Sequence, residues 1–577
     1  MQEQLRREGI DGFLVPRADV HQGEYVSARD ARLEWLTGFS GSAGFCIATK
    51  TEAGVFIDGR YKVQARQQIN GVFTAVDWPE TTAAAWLNAK FETEATIGFD
   101  PWLHTVDQVS TLKNDLTVVE IKPVENLIDR IWDDQPQPAN MPFISHALEN
   151  AGESHQSKRE RLAKHLTSDA VIITLPDSIA WLLNIRGSDI PRNPVPQAFA
   201  ILNKDATVDL FALQGKADQV QEHLGNDVRH HDIGDFVSFV EKMDGKIQID
   251  PKWCPYAIAA ILDKNHITTL HGDDPCLLPK ACKNDAELSG ARAAAKRDGA
   301  VMVQFLAWLD EVAPQGGLTE IDVVTQLEGL RRSTNVLRDI SFETICGVGP
   351  HAALPHYRVS DDSNAAVVLD DLLLVDSGGQ YVDGTTDITR TIIVGDPKSD
   401  HIKCYTLVLQ GVIALSRARF PKGVTGAHLD TLARFPLWTA GMDFDHGTGH
   451  GIGSYLSVHE GPQSISRRSD VVLKEGMIVS NEPGYYREGD FGIRTENLIA
   501  VITAPKIAGA DKREMLAFET LTYVPFDRRL IDVNRLSPQE ILWIDQYHAD
   551  TLALLGDCVE WNVKKWLSAA CAPLARH

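Results

Sequence analysis

The chain has 577 residues, 44% of them hydrophobic and 23% charged, and a formal net charge of −23. That length is too great for one hydrophobic core and predicts about three domains of ordinary globular composition. The acidic balance argues against nucleic acid or an anionic membrane as the main partner, because each needs a basic face; solubility accounts for most of the excess acid, and metal ligation for a part.

No run approaches the ~18 consecutive apolar residues that a bilayer span needs. The polar start, Met1-Gln2-Glu3-Gln4-Leu5-Arg6-Arg7, lacks the apolar core of a signal peptide, so a cytoplasmic protein is the expectation. It reads as the start of an amphipathic helix, which fits a natural chain beginning a few residues upstream. The eight cysteines (Cys46, Cys254, Cys276, Cys282, Cys346, Cys404, Cys558 and Cys571) contain no C-x-x-C pair. Their sparseness favours reduced thiols over a disulfide framework.

The first half repeats itself. Asp11–Pro16 resembles Asp169–Pro176, each an apolar strand run closing on proline. Leu33–Gly38 and Ile179–Asn184 follow as matching segments, and each copy then enters a hairpin-like pair of β segments: 44–48 with 55–60, and 198–202 with 210–216. Two related α/β domains in tandem are predicted, joined by the Pro-rich stretch 133–138. The second ends near Pro275–Pro279. From Asn284 the character changes. Helical patterns at 286–312, 319–333 and 400–418 are interleaved with β runs at 370–375, 388–394, 477–480 and 493–501, which predicts an antiparallel α+β sheet layered by helices. Ser537-Pro538-Gln539-Glu540 combines a capping serine, proline at the first helical position and a glutamate that bonds back, opening a helix to Leu555.

Five residues stand out as potential metal ligands. Asp376 closes the apolar strand Leu372-Leu373-Leu374-Val375, where a bare carboxylate is costly. Asp387 follows eleven positions later, after Gly378-Gly379 and Asp383-Gly384, and those glycines let the chain double back to bring the two together. Glu482 and Glu496 flank a segment nearly symmetric about Gly489. A hairpin centred there sets them opposite each other, with Cβ atoms roughly 5 Å apart, where two carboxylates repel unless cations lie between them or one is protonated. His450 lies in His446-Gly447-Thr448-Gly449-His450-Gly451-Ile452-Gly453. Its glycines make a helical H-x-x-x-H zinc motif improbable, and strand alternation puts His446, Thr448 and His450 on one face. Four carboxylates and one imidazole suit a pair of divalent cations; hard oxygen donors favour manganese, with cobalt or zinc able to substitute. Two such ions roughly 3.5–4 Å apart share a hydroxide and polarise a carbonyl.

The motifs Leu374–Tyr381, Asp383–Arg390, Gly447–Gly453, Val458-His459-Glu460-Gly461-Pro462, Asn481–Tyr486 and Gly492–Asn497 resemble, in order and spacing, the creatinase/methionine-aminopeptidase "pita-bread" metallopeptidases. With Ile179–Gly187, the whole chain resembles the three-domain cytosolic type of aminopeptidase P. The resemblance implies two creatinase-N-terminal-like α/β domains, residues 1–138 and 139–283, and a pita-bread α+β catalytic domain, residues 284–577. It implies an Xaa-Pro aminopeptidase in which a hydroxide bridging two divalent cations, manganese foremost, attacks the scissile carbonyl. Asp376 would chelate one metal, His450 and Glu482 the other, and Asp387 and Glu496 would bridge them. Glu482 is the candidate for proton transfer, His356 for assisting proton movement or binding substrate, His459 for hydrogen-bonding the carbonyl and its oxyanion, and His446 for lining the proline subsite. Arg494 would brace a ligand carboxylate. His351 stands where asparagine is expected, which leaves the substrate contacts of 350–355 open. Implied partners are peptides with proline second and another copy of the chain in a homodimer. A prolidase shares the metal site but usually has one N-terminal domain, a non-catalytic pita-bread binding module loses the ligands, and a creatinase-type amidinohydrolase does not keep the full set.

Overall fold

Short apolar runs, the inner ones buried almost continuously, organise the first 277 residues of the chain into two six-stranded mixed sheets; the computed structural model describes residues 1–574. In the first sheet the order is Phe73–Asp77, Ala53–Ile57, Phe45–Thr49, Gly12–Pro16, Ala95–Phe99, Val119–Pro123. In the second it is Val228–Asp232, Val208–Ala212, Phe199–Asn203, Ala170–Ile173, Lys246–Ile249, Thr268–His271. Each has two antiparallel pairings about its hairpin and parallel pairings toward both edges. The repeat read in the sequence is thus a repeat of topology.

The copies also meet reciprocally. Thr105 bridges Pro255. Val106 N–H donates to the Cys254 carbonyl at 3.1 Å and Tyr256 N–H to the His104 carbonyl at 2.8 Å, while Asp107 and Ala257 donate to Pro251 and Pro101 at 2.9 and 2.8 Å. The matching segments Asp100-Pro101 and Asp250-Pro251 therefore face each other as an isologous contact does.

The second compact unit begins at Leu278. Asn284 caps the long helix Asp285–Val312 in a capping box with Glu287, Thr319 does the same for Glu320–Ser333 with Asp322, and Ser537 for Pro538–Leu555 with Glu540. The strands pair antiparallel throughout. A three-stranded sheet (Ile345–Val348, Asp371–Ser377, Ile388–Val394) and a six-stranded sheet (Arg419–Pro421, Met515–Thr520, Asn497–Thr503, Ile478–Asn481, Gly449–Gly451, Glu460–Ile465) carry the candidate ligands. The helix Asp285–Val312 packs Val301, Phe305 and Leu309 on the first sheet. Leu415 and Leu429 of the helices Ser399–Ser416 and Gly426–Thr439 pack on the second. This is the layered α+β arrangement expected for this part of the chain. Among the described residues no helix is long and apolar enough to cross a membrane.

Candidate metal centre

The strand Asp371–Ser377 is buried on both faces. Leu373 and Val375 enter one core, Leu372 a second and Leu374 a third, which is why the run is apolar without alternation. Asp376 shares the face of Leu372 and Leu374 and sits opposite Thr389 on the strand Ile388–Val394. The intervening loop closes because residue 378 is glycine: a Cβ there would lie 1.9 Å from the Thr386 carbonyl oxygen. Asp387 is thereby returned, buried, to the start of the partner strand.

The expected hairpin is present and its symmetry is exact in register. Gly484 pairs with Arg494 and Arg487 with Phe491, and the same centre governs Asn481 with Asn497 and Ile478 with Ala500. Glu482 and Glu496 fall where the ladder opens. There the Glu482 N–H turns to the Thr448 carbonyl at 2.8 Å and the Glu496 N–H to the Thr389 carbonyl at 3.1 Å. Each departure ties a glutamate to one of the other two ligand-bearing segments. The run read as 493–501 is accordingly two strands, Phe491–Arg494 and Asn497–Thr503.

His450 occupies the short strand Gly449–Gly451. Its N–H donates to Ser480 Oγ at 2.9 Å, and Ser480 in turn donates to Glu482 Oε1 at 3.2 Å. The imidazole Nδ1 donates to the Gly451 carbonyl at 3.0 Å. Nε2 is thereby turned to Asp387 Oδ2 at 3.4 Å and Glu482 Oε1 at 3.5 Å, an orientation common in metal-binding histidines. Asp387, His450 and Glu496 each offer one donor atom, all within 4.8 Å of one another.

The electrostatics follow from this crowding. Burial, then the Asp387 and Glu482 charges, outweigh Arg494 and push Asp376 up to about 7. Burial first, then Asp387, Asp376 and Glu482, raises Glu496 well above the carboxylate range. Burial also raises Glu482, against the lowering effect of His450 and Arg494. For His450, burial opposes protonation, but Asp387 and Glu482 overcome it and lift the ring to about 9. A cluster that disfavours its own negative charge is a cluster suited to cations.

One oxygen of each of two carboxylates is fixed by protein and the other is left over. Arg494 Nη2 donates to Asp376 Oδ2 at 2.6 Å, and the Thr389 hydroxyl donates to Glu496 Oε2 at 2.8 Å. Asp376 Oδ1 and Glu496 Oε1 are buried with no hydrogen-bond partner among the described residues, an expensive state that a divalent cation removes. With the imidazole Nε2 and oxygen donors around them, the donor set fits hard cations.

Arg494 braces more than its own strand. Besides Asp376 it reaches Tyr486 Oη at 2.7 Å and Thr389 Oγ1 at 3.2 Å, so it acts on Glu496 through Thr389. Tyr486 Oη also meets His446 Nε2 at 2.8 Å, and His446 Nδ1 donates to the Gly447 carbonyl at 2.7 Å. The His459 ring packs edge-on against His450, centroids 4.2 Å apart. His356 is half-buried in the turn closed by Tyr357 N–H on the Leu354 carbonyl. Ala352 and Tyr357 of that loop pack with Leu374 and Tyr486, on the Asp376 face of the strand. His351 has a structural partner, the buried Glu320, at 2.9 Å. The expectation that Thr448 shares a face with His446 and His450 does not hold. The strand is confined to Gly449–Gly451, and the Thr448 hydroxyl turns away to donate to Asp430 at 2.7 Å. Thr389 and Ser480 brace the ligand set and Asp430 holds the Thr448 hydroxyl; of the three, only Thr389, two positions after Asp387, carries an alternation signal in the sequence.

Residues 289–503 match Metallopeptidase family M24 and 514–574 the C-terminal region of that peptidase, while 1–131 and 134–287 each match the Creatinase/Prolidase N-terminal domain. The chain is 38% identical to aminopeptidase P1 of Arabidopsis thaliana, over 98% of this chain and 97% of that one. It is 36% identical to an Xaa-Pro aminopeptidase of Caenorhabditis elegans, over 97% and 95%. The crystal structure of an X-prolyl aminopeptidase from Caenorhabditis elegans, described as a cytosolic enzyme with a di-nuclear active site, matches with a TM-score of 0.93 at 35% identity, covering 98% of this chain and 95% of that chain. An Xaa-Pro dipeptidase from Bacillus anthracis matches with a TM-score of 0.54 at 25% identity, covering 65% of this chain and 99% of that chain.

Proposed function

The chain belongs to metallopeptidase family M24, in the aminopeptidase P branch, and from that premise we propose how its side chains serve an enzyme that hydrolyses the N-terminal Xaa-Pro bond of peptides. Asp376, Asp387, His450, Glu482 and Glu496 would hold two divalent cations, Asp387 and Glu496 serving both. The observation that carries this reading is the pair of buried, unpartnered oxygens, Asp376 Oδ1 and Glu496 Oε1, in a cluster where Asp387, His450 and Glu496 converge within 4.8 Å. When bound, the cations would supply Lewis acidity to the scissile carbonyl and lower the pKa of the attacking water.

The protein's own groups do the rest. Glu482, half-buried beside His450, accepts a proton from the attacking water and delivers it to the leaving proline nitrogen. His459 donates to the carbonyl oxygen as negative charge develops. His356 binds the substrate backbone or assists proton movement. His446, held by Tyr486, lines the subsite for the proline ring. A dedicated site is needed because the Xaa-Pro bond is a tertiary amide without an N–H donor and with a fixed proline φ; the trans isomer is the one selected.

The domain division 1–138, 139–283 and 284–577 is part of the proposal. Manganese is the proposed metal, on the oxygen-rich donor set. A homodimer is proposed on the exposed apolar stripe Leu432, Phe435 and Trp438, spaced three residues apart on the helix Gly426–Thr439. A cytoplasmic location is supported by the cytosolic Caenorhabditis elegans enzyme. Prolidase activity is the weaker reading, since the dipeptidase likeness covers 65% of the chain, whereas the aminopeptidase likeness covers both α/β repeats. The test is release of the first residue from Xaa-Pro, Xaa-Pro-Yaa and Xaa-Ala-Yaa by manganese-loaded protein. Cleavage of the proline tripeptide but not its alanine counterpart supports the assignment; cleavage of the dipeptide alone reverses it in favour of prolidase.

A further inference from the structure

The glycine-rich segment that carries His446 and His450 lacks the means to order itself. Glycines stand at 447, 449, 451 and 453, each losing more backbone freedom on folding than any other residue, and only Gly449–Gly451 is held in a ladder. Ser480 and Tyr486 hold His450 and His446 from outside, and the backbone leading into the segment is ordered by one buried arginine on the helix Gly426–Thr439. Arg434 is 2% exposed. Its Nη2 donates to the His446 carbonyl at 2.6 Å and its Nη1 to the Phe444 carbonyl at 2.6 Å and Asp443 Oδ1 at 2.9 Å. Its Nε donates to Asp430 Oδ2 at 2.7 Å, and the other oxygen of Asp430 accepts the Thr448 hydroxyl at 2.7 Å. The guanidinium carbon lies 3.8 Å from the centroid of Phe444, whose ring is 4.8 Å from that of His446. The Thr448 carbonyl in turn accepts the Glu482 N–H.

We propose that Arg434, with Asp430, is a positioning residue for proline specificity, fixing residues 444–448 so that the His446 ring is presented to the substrate's proline. This rests on the assignment of His446 to the proline subsite. Arg434 does not touch substrate; it sets where the histidine stands. Lysine cannot replace it, because a single ammonium does not span four separated acceptors as the planar fork does. The ring position is what its loss relaxes most, because the metal cluster is tied to this segment only through the Glu482 N–H on the Thr448 carbonyl and the His450 backbone. The cluster draws its own bracing from Arg494, Thr389 and Ser480.

The test compares full-length, manganese-loaded protein with Arg434→Lys. The readouts are steady-state kinetics on Xaa-Pro-Yaa, inhibition by the Pro-Yaa product, and metal content per chain. The expected result is a KM raised ~10-fold or more with kcat within about threefold, the product's inhibition constant rising in parallel, and metal content unchanged. Arg434→Ala should regain a low KM when millimolar guanidinium is added. Phe444→Leu removes the ring between guanidinium and imidazole and leaves every charge in place; it should raise KM in the same direction. A variant whose KM and product inhibition equal those of the unmodified protein, with activity lost only in proportion to the fraction folded, overturns the proposal and leaves Arg434 a structural residue. Inactivity of the unmodified protein on the same peptide overturns the functional assignment itself, before any variant is compared.

Discussion

Glu496→Gln removes one charge from the cluster and adds no bulk, which separates the cost of the site from its use. Burial, then Asp387, Asp376 and Glu482, holds this carboxyl well above its ordinary value of 4.5, so without cations its neutral form is favoured. An amide has nearly the shape of the protonated acid, and its oxygen can still accept the Thr389 hydroxyl that now bonds Oε2. The metal-stripped variant should therefore unfold within about 1 kcal/mol of the wild type at neutral pH. A carboxyl whose folded pKa is raised contributes stability that is full below its unfolded pKa and is lost as pH rises through the folded one. The stripped wild type should thus weaken as pH climbs above 4.5, more steeply than the variant, in which Asp376 and Glu482 still titrate. Metal reverses the comparison. At ~100 times Kd each bound cation stabilises by about 2.7 kcal/mol, so two raise Tm by about 4–5 °C in a chain of 577 residues. The variant should show less than a third of that rise, bind fewer than two ions and lose turnover. Scanning calorimetry with and without EDTA, together with metal analysis, reads all three quantities. A variant that keeps two ions and the full rise, or that is several kcal/mol less stable when stripped, refutes the reasoning.

Arg494→Met leaves Asp376 buried without its guanidinium, which should cost about 3–5 kcal/mol in urea unfolding and weaken metal binding. Ser537→Ala deletes the cap that accepts the Glu540 N–H; it should cost about 1 kcal/mol and leave peptidase activity unchanged. In the first 277 residues, burial chiefly depresses four histidines, His21 to about 3, His104 to about 4, His146 to about 2 and His155 to about 4. Each stays neutral when folded and takes up a proton when unfolded, so its stability contribution is full above 6.5 and is lost as pH falls toward the folded values. Calorimetry from pH 7 to 5 should show this unit losing several kcal/mol, and a flat profile would contradict it.

The ligand-bearing elements were legible because backbone chemistry writes them plainly. The mirror symmetry about Gly489 fixes the register of two ladders at once, and Asn284, Thr319 and Ser537 all announce their helices through capping boxes. The tandem repeat was legible as well, although the reciprocal contact at Thr105 and Pro255 was not, since pairing between domains leaves no periodicity. What escaped is what depends on reach across the fold. Alternation put Arg494 on the face of Glu496, yet its guanidinium spans to Asp376, 118 residues away in the chain, and meets Glu496 only through Thr389. Alternation puts Thr448 on the wrong face because the strand is only three residues long, Gly449–Gly451. Arg434 reads as an ordinary helical arginine; only the fold gives it the His446 carbonyl.

The most direct measurement is anomalous diffraction from crystals of the manganese-loaded protein, collected at the metal's absorption edge. Two peaks about 3.5–4 Å apart, enclosed by Asp376, Asp387, His450, Glu482 and Glu496, are the predicted result. A single peak, or peaks bound by other side chains while these five remain without metal, would contradict the account.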